Sequence, residues 1–149
     1  MIIIIVYYST EPNDICCERF ILNNISVVIV TGSSGKDKSA KTSVELLSIN
    51  GTRLCSLPDL PAERYYHSQS GLLTCGGGPT DAKTSCVTFA GGSWKKSHTL
   101  GKPRHDHTAW ALPNGAVLLI GGPRASVTST ELLTDNGVST PSFSLQNKR

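Results

Sequence analysis

Apolar residues in this chain gather in short runs separated by polar, glycine-bearing segments, and no stretch of about ten residues or more carries a helical stripe. The runs read as strands at Val27 to Thr31, Ser43 to Ile49, Leu72 to Cys75, Ser85 to Phe89, His107 to Leu112, Ala116 to Ile120 and Thr130 to Leu133. Val117-Leu118-Leu119-Ile120 is apolar at every position, the pattern of a strand buried on both faces. Pro113-Asn114-Gly115 supplies turn chemistry between two of the strands, because asparagine and glycine accept positive φ at little cost. The opening run MIIIIVYY is rich in isoleucine, valine and tyrosine and also reads as a strand. The expectation is an all-β protein built as an antiparallel meander.

The runs repeat with a period of about 40–45 residues, and four markers return in the same order. An apolar run ends in small residues at Gly32, at Gly76-Gly77 and at Gly121-Gly122. A polar loop and a second strand follow, TSVELL with Glu45, TSCVTF with Val87, and TSTELL with Glu131. A turn glycine then precedes a polar strand at Gly51-Thr52-Arg53 and Gly92-Ser93-Trp94. Last comes an arginine–histidine segment, PAERYYHS with Arg64 and His67, and GKPRHDHT with Arg104 and His107.

An apolar strand ending in a double glycine, a glutamate strand, a tryptophan strand and an arginine–histidine strand together resemble the kelch repeat. The resemblance runs over 27–149, divided at 27–71, 72–115 and 116–149, and leaves 1–26 as a divergent N-terminal segment. It implies a partial kelch-type β-propeller made of four-stranded antiparallel blades. Propellers close with about four to eight blades, so three partial blades leave the ring unclosed by this chain. The missing blades are expected from a longer product, of which this is a fragment or truncated form, or from self-association. The family pattern is imperfect here: Ser33 follows Gly32, Val87 replaces the acidic residue, and Trp94 alone fills the tryptophan position well. In such a blade the glycine pairs permit close approach at the crowded inner part of the ring. Trp94 would cover the blade's outer end, and Arg104 or His107 would tie strand backbones or acidic side chains together. The innermost strand of the first blade is expected at Phe20 to Leu22.

Bulk composition narrows the function. At 149 residues, 38% hydrophobic and 17% charged, the chain has the makings of a folded, turn-rich protein. A net charge of +3 without a basic run carrying interleaved aromatics gives no reason to expect nucleic acid or a membrane surface as a partner. MIIIIVYY lacks a preceding basic residue and meets the polar STEPND at once, so it is neither a membrane span nor a convincing signal peptide. Asn24 and Asn50 sit in glycosylation acceptor patterns, which keeps both a cytoplasmic and a secreted setting open. The 5 cysteines cannot all pair within one chain. Cys75 and Cys86 lie at the ends of adjacent antiparallel strands, where either a cross-strand disulfide or two reduced, buried thiols fit.

Candidate chemistry is sparse. His105 and His107 alternate around Asp106 and would share one face of a strand, with His67 at the matching place one repeat earlier. Single histidines from successive repeats are read as structural hydrogen-bonding groups, not as a metal site. Gly32-Ser33-Ser34-Gly35-Lys36 lacks the spacing of a phosphate loop, and no nucleophile elbow or metalloprotease motif is present. The expectation is therefore a protein-interaction module without catalytic residues, metal or cofactor, contacting an unknown protein through the variable loops at Lys36 to Lys41, Pro79 to Lys83 and Pro123 to Val127. The competing readings are an enzyme fragment related to kelch-type copper oxidases, for which Tyr65, Tyr66, His67 and Cys75 are residues of the right type, and a truncated gene product without independent function.

Overall fold

The computed structural model describes residues 4–5, 27–34, 40–48, 50, 52–78, 83–122 and 129–141. Among the described residues, twelve strands form three four-stranded sheets, each a plain antiparallel meander. The first contains β1 (Ile4–Ile5), β2 (Val27–Ser34), β3 (Ala40–Ser48) and β4 (Arg53–Leu57). The second contains β5 (Ser68–Ser70), β6 (Leu73–Cys75), β7 (Ser85–Ala90) and β8 (Ser93–Thr99). The third contains β9 (Thr108–Ala111), β10 (Val117–Ile120), β11 (Thr130–Thr134) and β12 (Gly137–Ser139). The described residues include no helix, and no sheet closes into a barrel.

The sheets begin one strand ahead of the double-glycine runs at which the sequence period was divided, because the strand after each arginine–histidine segment pairs with the apolar strand that follows it. In the first sheet the place beside β2 is filled by Ile4–Ile5, through Ile4 opposite Val28 and Ile5 opposite Val27. Phe20 to Leu22, expected in that place, lie outside the described residues.

Side-chain alternation gives every sheet two faces, and the register shows which residues share one. On the first sheet Ile29 pairs with Leu46 and Thr31 with Val44. That face meets Val87, Leu72, Phe89 and Trp94 of the second sheet in one buried cluster, joined by Leu57 and Leu60. The opposite face of the second sheet, with Leu73, Cys75 and Cys86, meets Val117, Leu119 and Leu133 of the third in another. Each large aliphatic side chain so covered is worth about 1.5–3 kcal/mol of transfer free energy, so the sheets depend on their neighbours for most of their core.

The connections are unequal at the two ends of the sheets. Gly71-Leu72, Gly91-Gly92, Pro113-Asn114-Gly115 and Asp135-Asn136 turn tightly at one end. By strand direction the other end carries the β2–β3, β6–β7 and β10–β11 loops and both links between sheets, 58–67 and 100–107. The links repeat in detail: Leu60 N–H donates to Thr42 O and Leu100 N–H to Thr84 O, both at 2.8 Å or less, and both leucines are buried.

Candidate functional site

At the loop-bearing end, each link between sheets lays one arginine inside the sheet that follows it. Arg64 Nη1 donates to Gly76 O at 2.8 Å and Ser85 O at 2.9 Å, while Nη2 reaches Ser85 Oγ at 2.6 Å. Arg104 repeats this on the third sheet: Nη1 donates to Gly121 O at 2.8 Å and Ser129 O at 2.9 Å, and Nη2 to Ser129 Oγ at 3.0 Å. The guanidinium thus bridges the ends of the second and third strands of its sheet, binding a carbonyl of each where the two strands diverge into a loop.

The two sites differ at one position. Arg104 Nε meets Glu131 Oε1 at 2.7 Å, with both side chains almost wholly buried. Glu131 Oε2 also accepts from Gly101 N–H at 2.8 Å. Val87 stands at the corresponding place in the second sheet, and burial there lowers the Arg64 pKa to about 10. Glu45, the acidic residue of the first repeat, lies on β3 opposite Val30 and Ser56.

The double glycine is explained by what presses on it. A β-carbon on Gly76 would stand 2.5 Å from Arg104 O and 2.7 Å from His107 Cε1, and one on Gly77 would stand 2.7 Å from Tyr65 O. Both residues have positive φ, 63° and 95°, and Gly77 N–H donates to Arg104 O at 2.8 Å. Two successive links therefore converge on one glycine pair. Gly121 and Gly122 are also buried with positive φ, as is Gly32, which sits at a bulge in β2.

The histidines tie adjacent sheets together. His67 Nε2 lies 2.8 Å from Thr31 Oγ1 of the first sheet, whose hydroxyl proton goes to Gln69 Oε1 at 2.7 Å. The hydroxyl must then accept from His67, which fixes the neutral ring with its proton on Nε2. His107 Nε2 meets Ser68 Oγ of the second sheet at 2.6 Å. Burial, reinforced by the nearby arginines, lowers His67 to about 4 and His107 to about 3. Both Nδ1 atoms are buried without a hydrogen-bond partner among the described residues, which suits neutral rings.

The expected strand across His105 to His107 is absent. Asp106 takes φ 51°, so the chain turns there and β9 starts at Thr108. His105 is consequently partly exposed beside Asp106 Oδ2 at 3.0 Å, whereas His107 points inward. Tyr66 has the same left-handed backbone at the matching position, φ 56°, and its carbonyl accepts from Asp106 N–H at 2.9 Å. This turn was not legible in advance: aspartate tolerates left-handed backbone better than most residues but does not demand it, and tyrosine gives no sign of it. It leaves Tyr66 57% exposed next to Tyr65, and Trp110 on β9 is 63% exposed. Of the expected loop positions, Lys36, Asp37, Lys38, Ser39, Pro79 to Ala82 and Pro123 to Val127 lie outside the described residues.

Trp94, on the outermost strand of the second sheet, packs edge-on against Phe89 at 5.3 Å and donates from Nε1 to Pro58 O at 2.8 Å, pinning the first link. Cys75 and Cys86 are directly opposite each other and joined as a disulfide, with Cα atoms 4.1 Å apart. The residue types noted for copper do not form a ligand set: Cys75 is bonded to Cys86, and His67 is engaged by Thr31. Among the described residues no group of three His, Cys, Asp or Glu side chains converges.

No protein-family model matches the chain, and no curated protein does. Among solved structures it is similar to a fungal alcohol oxidase of the AA5 family in complex with copper, with a TM-score of 0.52 and 13% identity. The match covers 75% of this chain and 27% of the oxidase, and at that identity it is a likeness of fold.

Proposed function

We propose that this chain is a sector of a kelch-type β-propeller and that it works as a protein-interaction module, not as an enzyme. The three sheets are its blades, and the end carrying the long loops, Tyr66, His105 and Asp106 is the binding surface. The observation that carries this reading is the contrast between invariant interior and variable rim. Arg64 and Arg104 make the same three hydrogen bonds in successive sheets, while the residues beside them at the surface change from Tyr65-Tyr66 to His105-Asp106. A scaffold that repeats below and differs above is how recognition is built on a fixed frame. Exposed aromatic rings such as Tyr66 are favoured anchors in protein interfaces. The fold likeness to the alcohol oxidase brings no activity with it.

Photocrosslinking tests the surface. A benzophenone side chain is placed at Tyr66 and, as control, at Asn114 in a tight turn at the opposite end. The reading expects a discrete partner captured from position 66 and not from 114, with capture suppressed by excess unlabelled chain. Equal capture from both positions, or capture from 114 alone, overturns it. Copper added at equimolar concentration is expected to leave oxidase activity undetectable; copper-dependent turnover would favour the enzyme reading.

A further inference from the structure

Three connections at the tightly turned end of the sheets contain Asn-Gly: Asn50-Gly51 between β3 and β4, Asn114-Gly115 between β9 and β10, and Asn136-Gly137 between β11 and β12. All three asparagines are exposed. The first two share a hydrogen bond, Thr52 N–H donating to Asn50 Oδ1 and Ala116 N–H to Asn114 Oδ1, both at 3.2 Å. That bond uses only the main-chain N–H of the third residue, so the turn itself sets no requirement on the side chain there. The third residue is threonine at 52, alanine at 116 and valine at 138. Position 52 alone supplies the hydroxyl of the Asn-x-Ser/Thr glycosylation acceptor, with glycine in place of the forbidden proline between.

The threonine hydroxyl has no part in holding this turn. Thr52 is exposed, and the hairpin is closed by main-chain atoms, Ser48 N–H donating to Thr52 O at 2.8 Å and Thr52 N–H to Ser48 Oγ at 3.1 Å. Thr52 Oγ1 makes no hydrogen bond among the described residues. Asn50 Oδ1 also accepts from the Ser48 hydroxyl, which leaves Nδ2, the atom that a sugar would join, unbonded among the described residues and on the exposed side chain. A second observation, remote from the turn, points the same way. Cys75 and Cys86 are joined as a disulfide, and such bonds form and persist in oxidising compartments, the endoplasmic reticulum lumen among them.

We propose that Asn50 is a site of N-linked glycosylation and that the chain matures in the oxidising lumen where its disulfide forms. The donor is an oligosaccharide held through C1 of its first sugar on a polyprenyl diphosphate. Nδ2 of Asn50 forms the new bond to C1, the bond from C1 to the diphosphate oxygen breaks, and the lipid diphosphate leaves with that electron pair while Nδ2 gives up one proton. No oxidant or reductant enters. The folded hairpin has room for the product, because a bulky, solubilising glycan belongs on an exposed turn and Asn50 stands on one. By strand direction the glycan lies at the end opposite the β2–β3, β6–β7 and β10–β11 loops. It therefore leaves that end uncovered, and the proposal stands or falls independently of any partner bound there.

The test is non-reducing peptide mapping by mass spectrometry, which reads glycan occupancy and the Cys75–Cys86 bond on the same preparation. Two samples of the full chain are mapped, one purified from its natural source and one secreted by cultured eukaryotic cells behind a cleavable leader. Both are expected to carry a glycan on Asn50 together with the disulfide, and none on Asn114 or Asn136. In the secreted sample Thr52→Ala abolishes the Asn50 glycan and Thr52→Ser restores it; Ala116 already serves the equivalent turn position, so the first variant keeps the fold. Asn24, the other acceptor match, lies outside the described residues, and Asn24→Gln isolates the signal of Asn50. An unmodified Asn50 in the natural chain overturns the proposal, as does a glycan confined to Asn24. Occupancy of Asn50 only in chains that lack the Cys75–Cys86 bond overturns it too, because the sugar then marks misfolded material.

Discussion

Removing the carboxylate from the buried Arg104–Glu131 pair separates an ion pair that holds the fold from one that merely occupies it. Arg104 is fully buried and makes four hydrogen bonds, at 2.7, 2.8, 2.9 and 3.0 Å, of which only the first goes to Glu131. Glu131→Leu leaves the guanidinium buried with no counter-charge, a loss of about 3–5 kcal/mol. Arg104→Met costs more, because it strands the carbonyls of Gly121 and Ser129 as well as the carboxylate, and each unsatisfied buried group adds about 1–3 kcal/mol. Against a total stability of about 5–15 kcal/mol, Arg104→Met alone is expected to leave the chain at the edge of unfolding. In the double variant no charge is stranded, so the combined loss falls short of the two single losses by about 0.5–3 kcal/mol. Equilibrium urea unfolding reads all four proteins, provided the denaturant slope stays constant across them. A Glu131→Leu protein within about 0.5 kcal/mol of wild type, or strict additivity in the cycle, refutes the idea that this pair supports the third sheet.

Gly71→Ala and Gly76→Ala share almost the same φ, 60° and 63°, but the first has nothing within 4 Å of an added β-carbon and the second meets Arg104 O at 2.5 Å. Thermal unfolding should show about 1–2 kcal/mol lost at position 71 and at least about 1–3 kcal/mol more at 76; equal losses contradict the close approach. His67 and His107, lowered to about 4 and about 3, take up protons in the unfolded chain before they do so in the folded one. Their contribution is therefore complete above about pH 6.5 and declines as pH falls towards the folded values, with a slope of up to about 1.4 kcal/mol per pH unit for each ring. His107→Gln should flatten the stability-against-pH curve over that window by one ring's share; an unchanged slope shows that His107 titrates normally. Reducing the Cys75–Cys86 disulfide, which closes a segment of 11 residues, should lower stability by about 3 kcal/mol, read by urea unfolding with and without dithiothreitol.

How far the molecule is legible in its sequence depends on where backbone and side chain agree. The apolar runs at Leu72 to Cys75 and Ala116 to Ile120 stand out because both faces of those strands are covered, so every position tends to be apolar. The glycine pairs and the arginine–histidine segments return at regular intervals because they touch each other across the sheets. The disulfide was one of two open readings for Cys75 and Cys86, and facing register places them opposite each other. The histidine strand failed for a local reason. Period-two alternation at His105 to His107 mimics a strand, but the left-handed turn at Asp106 interrupts it, and aspartate gives little warning of such a turn. Ile4–Ile5 as the strand beside β2 was hidden by chain separation: a pairing between residues so far apart in sequence leaves no local periodicity to follow.

A crystal structure of the full chain tests the central assertion, that one sheet has been used three times, with an arginine locked into the open end of the second and of the third. Superposing 68–99 on 108–139 should bring the Arg64 and Arg104 guanidiniums together, each on the carbonyls after its second strand and before its third. Finding helix across 72–89, one continuous barrel in place of separate sheets, or either arginine turned out into solvent would contradict it.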